Sequence, residues 1–258
     1  MTSVDDHREK EGTCWLACFD LLGFTDRVSD FAEHHYASGV DGLSILAGEY
    51  HERVLKALDA EVAYQRQHER TLHYAHFSDT FILYTPDDSR DSFMTLDSAL
   101  GKLFIDMVLA EIPARGALTC GRFYADRDRN IFIGPALAKA YEYAEKQDWI
   151  GYVLTRQASD RLSEFKPPIV LPSITYPEWQ VPVKVKRTTI PCGRTVISRG
   201  HERLFAFRIG QYPMIRESIR SMKKAARIQS RANYAYCRSK YRNTLLFTKH
   251  TKLTCKHA

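Results

Sequence analysis

The chain lacks the segments that carry a protein into or through a membrane, and it lacks the cysteine spacing of a disulfide or zinc framework. No apolar run approaches the roughly 20 residues that span a bilayer. Met1 to Gly12 is polar and charged, without the apolar stretch of a secretory leader, so a cytoplasmic location is expected. The six cysteines (14, 18, 120, 192, 237 and 255) form no C-x-x-C pair, which points to reduced, unlinked thiols. There is no internal repeat and no low-complexity tract. Acidic residues are nearly missing from one end. Residues 211–258 hold 12 Lys/Arg against Glu217 alone, a local charge of +11, whereas residues 1–210 hold 25 Lys/Arg against 30 Asp/Glu, a charge of −5.

What remains is an ordinary globular composition, 44% hydrophobic and 26% charged, enough for a core of about 150–200 residues with an appendage. The pattern predicts a strand over 14–20, a turn at Gly23-Phe24-Thr25, a helix over 26–37 and a long amphipathic helix over 43–68. Residues 71–77 and 80–85 read as a hairpin with Ser78-Asp79 at its tip. A helix over 91–112 follows, then a strand over 115–124 and a second hairpin through Ile131-Phe132-Ile133. Gly134-Pro135 opens a helix to about 147, where the missing proline N–H does no harm. A short strand (151–154), a short helix (156–164), a proline-containing stretch (167–200), a last strand (204–209) and a basic helix (212–241) complete the order. Mixed hairpins and crossovers favour an α+β sandwich, a mixed, mostly antiparallel sheet covered by helices. Three parts are expected: a polar segment (1–12), a catalytic-type domain (13–210) and a basic helical extension (211–258).

Two carboxylates stand out. Asp20 interrupts the apolar run Cys14-Trp15-Leu16-Ala17-Cys18-Phe19, and Asp79 interrupts the run from His76 to Tyr84. An ionised Asp in such a run is costly to desolvate unless a cation or strong donors compensate it. Either one alone reads equally as a helix cap or a salt-bridge partner. Together, at strand ends near a turn whose amides could face phosphate, they suggest a site for divalent metals and a triphosphate.

The set Phe19-Asp20-Leu21-Leu22-Gly23-Phe24-Thr25, Ser78-Asp79, Arg115-Gly116 through Gly121-Arg122, and Gly134-Pro135 opening a helix resembles the class III nucleotidyl cyclase domain over about residues 12–165. The resemblance implies a class III cyclase-like sandwich in which Asp20 and Asp79 hold two divalent ions, Mn²⁺ or Mg²⁺, with the Leu21 carbonyl as a further ligand. It also implies that the amides of Leu22, Gly23, Phe24 and Thr25 cradle phosphates and that Arg115 contacts the polyphosphate. The family's sites lie between two subunits, which implies a homodimer. The chain departs from the pattern at three places: Ala138 and Glu142 stand where the family has its transition-state Asn and Arg, and Ala75 stands where adenylate cyclases carry an adenine-reading Lys. With both metal Asps kept and no adenine set, the chain is similar to the pyrimidine cyclases of bacterial anti-phage systems. That similarity implies a uridylate cyclase making cyclic UMP for a separate cyclic-nucleotide-activated effector. The alternatives are a cytidylate cyclase making cyclic CMP, or a nucleotide-sensing module without turnover.

Candidates for the base pocket, placed near predicted strand ends or the facing helix, are Tyr50, His73, Tyr74, His76, Phe77, Arg122 and Tyr124. The Tyr50 hydroxyl can donate to a carbonyl and Arg122 only donates, which leans towards uracil and hence UTP. Tyr50 reads also as a core aromatic, and His73 and His76 as solvated or satisfied imidazoles. Lys139, Arg127 and Arg129 are candidates to replace the absent Arg, against a plain solvated face. The basic, Tyr-interleaved extension could bind nucleic acid. Its partial apolar stripe (Ile215, Ile219, Met222, Ala226 and Ile228) favours packing instead.

Overall fold

The computed structural model describes residues 10–24, 28–29, 48, 52–166, 182, 212–229 and 238–246. Strand β1 (Lys10–Leu21) is central and explains the apolar run: its residues alternate between two buried faces. Trp15, Ala17, Phe19 and Leu21 point into one core, and Cys14, Leu16 and Cys18 into another. The hairpin β2 (His73–Phe77) and β3 (Thr80–Tyr84) lies to one side of it, and β4 (Ala114–Asp126) to the other. The sheet order is β2-β3-β1-β4-β5, where β5 is Ile131–Ile133. Strand β6 (Gly151–Leu154) also pairs with β4 and is the parallel member of an otherwise antiparallel set. The architecture is therefore α+β, with a mixed, mostly antiparallel sheet.

Helices cover both faces. On one lie α1 (Glu52–Gln67), α2 (Arg90–Leu109) and α4 (Arg156–Glu164), which contribute Leu58, Phe93, Leu96, Phe104 and Ala158 to the larger core. Phe19 stacks on Phe81 and meets Phe104 edge-on, so this core is locked by aromatic contacts as well as by area. The opposite face carries α3 (Pro135–Lys146), whose Ala136 and Ala140 lie over Cys14, Leu16 and Cys18. Gly134 sits at φ 152, and a Cβ there would lie 2.6 Å from the Arg122 carbonyl oxygen, so the turn into α3 requires glycine.

The basic extension is packed on the body where it is described. Helix α5 (Tyr212–Gln229) buries Ile219 and Met222 against Ile105, Trp149 and Val153, and Tyr241 from a helix over 238–246 joins them. The apolar stripe thus serves packing, and Lys224, Arg238 and Arg242 stay on the outside.

Several expectations are refined. The first strand begins at Lys10 rather than 14, because β4 is long enough to pair it as far as Ala125. The helix expected over 91–112 is capped by Ser89, runs over Arg90–Leu109 and stops before Glu111, which has φ 60. Of the helix expected over 43–68, residues 52–67 are confirmed. The helix over 26–37 apart from Val28 and Ser29, the stretch 167–200 apart from Pro182, and the strand 204–209 lie outside the described residues.

Two outcomes follow. Gly116 is the tightest point between β4 and β1, since a Cβ there would sit 2.7 Å from the Phe19 Cβ and 2.8 Å from the Cys18 carbonyl oxygen. Gly116→Ala should lower the midpoint of thermal unfolding measurably, by the equivalent of about 1–3 kcal/mol. Burial pushes the thiols of Cys14, Cys18 and Cys120 up to about 12. In native protein at pH 8 these three should resist iodoacetamide and react only after denaturation, as read by peptide mass spectrometry.

Candidate active site

The C-terminal end of β1 places Asp20 between Thr80 of β3 and Arg115 of β4. Strand register continues this row to Phe77 on β2 and Gly151 on β6, so Phe77, Thr80, Asp20 and Arg115 stand side by side on one sheet face. This is the face that α3 covers further along. Asp79 sits in the two-residue turn between β2 and β3, and its carbonyl accepts a bond from the Leu21 N–H at 3.0 Å. The hairpin tip is thereby tied to the end of β1, which brings the two acidic residues together.

Asp20 has a partner. Arg115 donates from Nε to Oδ1 at 3.0 Å and from Nη2 to Oδ2 at 2.9 Å. The guanidinium also donates from Nη2 to Glu145 Oε1 at 2.8 Å and from Nη1 to the Gln147 carbonyl at 3.1 Å. Side-chain exposure is 5% for Arg115 and 20% for Asp20, so this ion pair is largely removed from water. Burial pushes the Asp20 carboxyl above the usual carboxylate range. Arg115 opposes that rise, and the negative charges of Asp79 and Glu145 reinforce it. Among the described residues, two carboxylates, Asp20 and Glu145, thus hold one guanidinium at this end of the sheet, and the charge of Asp79 acts on Asp20.

That donor chemistry fits a divalent cation. Mg²⁺ and Mn²⁺ take hard oxygen ligands, and Mg²⁺ keeps several waters and shares ligands with substrate phosphates rather than needing an all-protein cage. Among the described residues no group of three or more His, Cys, Asp or Glu forms such a cage. Asp20 and Asp79 supply oxygens of that kind, those of Asp20 already accepting from Arg115.

The other predicted site residues are distributed unevenly. Leu21 is buried and Gly23 takes φ 78 in the turn that follows, next to half-buried Phe24. The Leu22 N–H is bonded to the Pro113 carbonyl at 2.8 Å, so the phosphate cradle expected over Leu22 to Thr25 loses that donor. Arg115, expected to contact the polyphosphate, is paired with Asp20 in this structure. Arg122 does not join the group within one chain. It lies seven residues further along β4, about 24 Å away at strand spacing, on the opposite sheet face. There it pairs with Glu11. Tyr50 and Thr25 lie outside the described residues.

Among the remaining pocket candidates, Phe77 is 80% exposed beside Asp79. Ala75 shares its face, and His73 packs at a tilt against Tyr84 further from the turn. Tyr74 donates to Asp59 at 2.5 Å, and His76 stacks on Phe81; both lie on the reverse face. Tyr124 also lies on that face, opposite Glu11. Glu142 is held by Lys139 and Lys146, which bring its carboxyl down to about 2. Arg129 is bonded to Asp126, and Arg127 reaches His73.

Glu145, Gln147 and Tyr141 were not legible as site residues. Tyr141 is half-exposed on α3. Its phenol is pushed up by burial and then by the charges of Glu145, Asp20, Cys18 and Asp79, which places it beside the cluster. Helical spacing singles out none of the three, because their role depends on how α3 crosses the sheet.

No protein-family model matches the chain, and no curated protein matches it. Solved structures similar to it include the catalytic core of a rhodopsin-guanylyl cyclase with converted specificity, in complex with ATPalphaS. That structure aligns at 12% identity and a TM-score of 0.48, covering 74% of this chain and 95% of that one. The adenylyl cyclase CyaB from P. aeruginosa aligns at 11% identity and a TM-score of 0.42, covering 74% and 94%. A class III adenylyl cyclase-like ATP-binding protein from Pseudomonas aeruginosa aligns at 14% identity and a TM-score of 0.41, covering 59% and 35%.

The two acidic residues should respond differently to truncation. Asp20→Ala strands a buried guanidinium and should cost about 3–5 kcal/mol in urea denaturation, towards the lower end because Glu145 remains. Asp79→Ala, in a half-buried turn, should cost about 1 kcal/mol or less.

Proposed function

We propose that the chain is a nucleotidyl cyclase acting on a pyrimidine nucleoside triphosphate, UTP foremost, and producing 3′,5′-cyclic UMP and pyrophosphate. The observation that carries this is the convergence of Asp20, at the end of β1, and Asp79, in the adjoining turn whose carbonyl is bonded to the Leu21 N–H, close enough for the charge of Asp79 to act on Asp20. In the reaction the ribose 3′-oxygen bonds to the α-phosphorus, the bond from that phosphorus to the bridging oxygen of the β-phosphate breaks, and the 3′-hydroxyl proton is lost. A divalent cation held by Asp20, Asp79 and the Leu21 carbonyl would make the 3′-hydroxyl more acidic and neutralise charge on the phosphates. The protein's own share is positional. Asp79 is fixed against β1 by the Leu21 N–H, and the turn from Leu22 to Phe24 leaves the sheet beside it.

Base choice is supported by what lines this face. Ala75 offers no donor where an adenine-reading Lys would stand, and exposed Phe77 offers a flat apolar surface on which a base can stack. Uracil over cytosine, a homodimer with sites at its interface, and delivery of the product to a separate effector in anti-phage defence follow from the resemblance of the motifs. The exposed Phe77 and Tyr141 are the kind of surface such a dimer would cover. A nucleotide sensor without turnover is the second reading, favoured by the Arg115 guanidinium that already occupies both Asp20 oxygens and by the Lys partners of Glu142.

Incubation with each of the four NTPs and Mn²⁺, followed by mass spectrometry, separates them. Cyclic UMP with pyrophosphate is the expected product, and Asp79→Ala should reduce it by a factor of about 10³ or more while the far-UV circular dichroism is kept. Tight NTP binding with no pyrophosphate released would establish the sensor. Absence of both binding and product would overturn the nucleotide-site reading.

A further inference from the structure

We infer that Arg115 is an internal cation standing at the metal position of Asp20, and that Glu145 is a positioning residue offering its guanidinium a second anionic seat when a divalent cation binds. The inference rests on the cyclase-type reading of the Asp20–Asp79 pair and goes beyond it. Both oxygens of Asp20 accept from Arg115, so a cation binding there has to share the carboxylate with the guanidinium or push it aside, and the like charges of the two favour the second. With 5% of its side chain exposed, Arg115 has no route to full hydration and needs another acceptor close by. Glu145 Oε1 is already within 2.8 Å of Nη2, and the Gln147 carbonyl holds Nη1 at 3.1 Å.

That second seat is rigid on the Gln147 side. Gln147 is fully buried and donates from Nε2 to the Gly116 carbonyl at 2.9 Å and to the Tyr143 carbonyl at 2.8 Å. The Trp149 indole N–H donates to its Oε1 at 2.6 Å. A short slide of the guanidinium from Asp20 towards Glu145 therefore keeps one anchor unchanged while it frees a carboxylate.

Mn²⁺ binding to the purified protein without nucleotide, followed by electron paramagnetic resonance, tests this. Arg115→Met removes the competitor and should tighten Mn²⁺ binding about tenfold or more, while lowering the melting temperature of the metal-free protein. Glu145→Gln should weaken binding roughly tenfold, as outer partners of ligands typically do. The double variant decides the route: if Glu145 acts through Arg115, Glu145→Gln should have little effect in the Arg115→Met background.

Should Arg115→Met fail to fold, the Arg115 Nε–H resonance of the unaltered protein serves in its place, and it should move on titration with Mg²⁺. Mn²⁺ binding that is lost in Asp79→Asn but unchanged or weakened in Arg115→Met overturns the inference and leaves the metal site standing. An Nε–H resonance that stays still at saturating Mg²⁺ does the same. An equal effect of Glu145→Gln in both backgrounds reduces Glu145 to a through-space charge. No Mn²⁺ binding in any variant ends both the inference and the metal-dependent reading beneath it.

Discussion

A guanidinium enclosed at the end of a sheet must be held from several sides, and the geometry around Arg115 is arranged for that. Asp20 faces it across the β1–β4 ladder, Glu145 reaches it from the helix above, and the Gln147 carbonyl closes the third side. Each contact requires a different layer of the fold to be in register: the central strand pair, the helix that crosses it, and the segment leading into β6. A one-residue slip of β1 against β4 would send Asp20 to the opposite face and leave the cation buried without its partner. The Gly116 contact against Phe19 and Cys18 draws the two strands together beside that pair. Close packing and charge pairing therefore enforce the same register.

The pairing bears on chemistry as well as on folding. A carboxylate left alone in an apolar strand would destabilise the protein, and a built-in counter-charge offsets part of that cost. On the proposed reading it also sets a threshold that an incoming cation has to exceed. Asp79 is placed differently. It stands in a turn, half-buried, and its backbone rather than its side chain is what fastens it to β1. One acidic residue is thus fastened through its side chain, and the other through its backbone.

Much of this was legible in the sequence because it was local. An Asp breaking an apolar run marked the end of β1. A short polar step between two β-like runs marked the hairpin tip, and Gly134-Pro135 marked the start of α3. What could not be read was set by long-range geometry. Arg115 is paired with Asp20 because β4 places the two directly opposite each other, which no spacing along the chain reveals. Arg122 left the site for an equally simple reason. Seven residues along a strand is an odd step, so it changes face as well as distance. Glu145 and Gln147 entered it because α3 ends above Arg115, and their letters alone resemble any charged helix terminus.

The segment after α3 has one more property. Asn243 donates to the Asp148 carbonyl and the Thr244 hydroxyl accepts from the Ile150 N–H, across 95 and 94 residues of sequence, while Lys240 lies beside Asp148. These late residues clamp the stretch next to Gln147, whose carbonyl in turn grips Arg115. During vectorial synthesis the sheet and its helices emerge first, and this fastening is added only after a long further stretch of polypeptide has been made. The named partners of Arg115 are all in the chain once Gln147 has been made, and the clamp on their neighbours comes last.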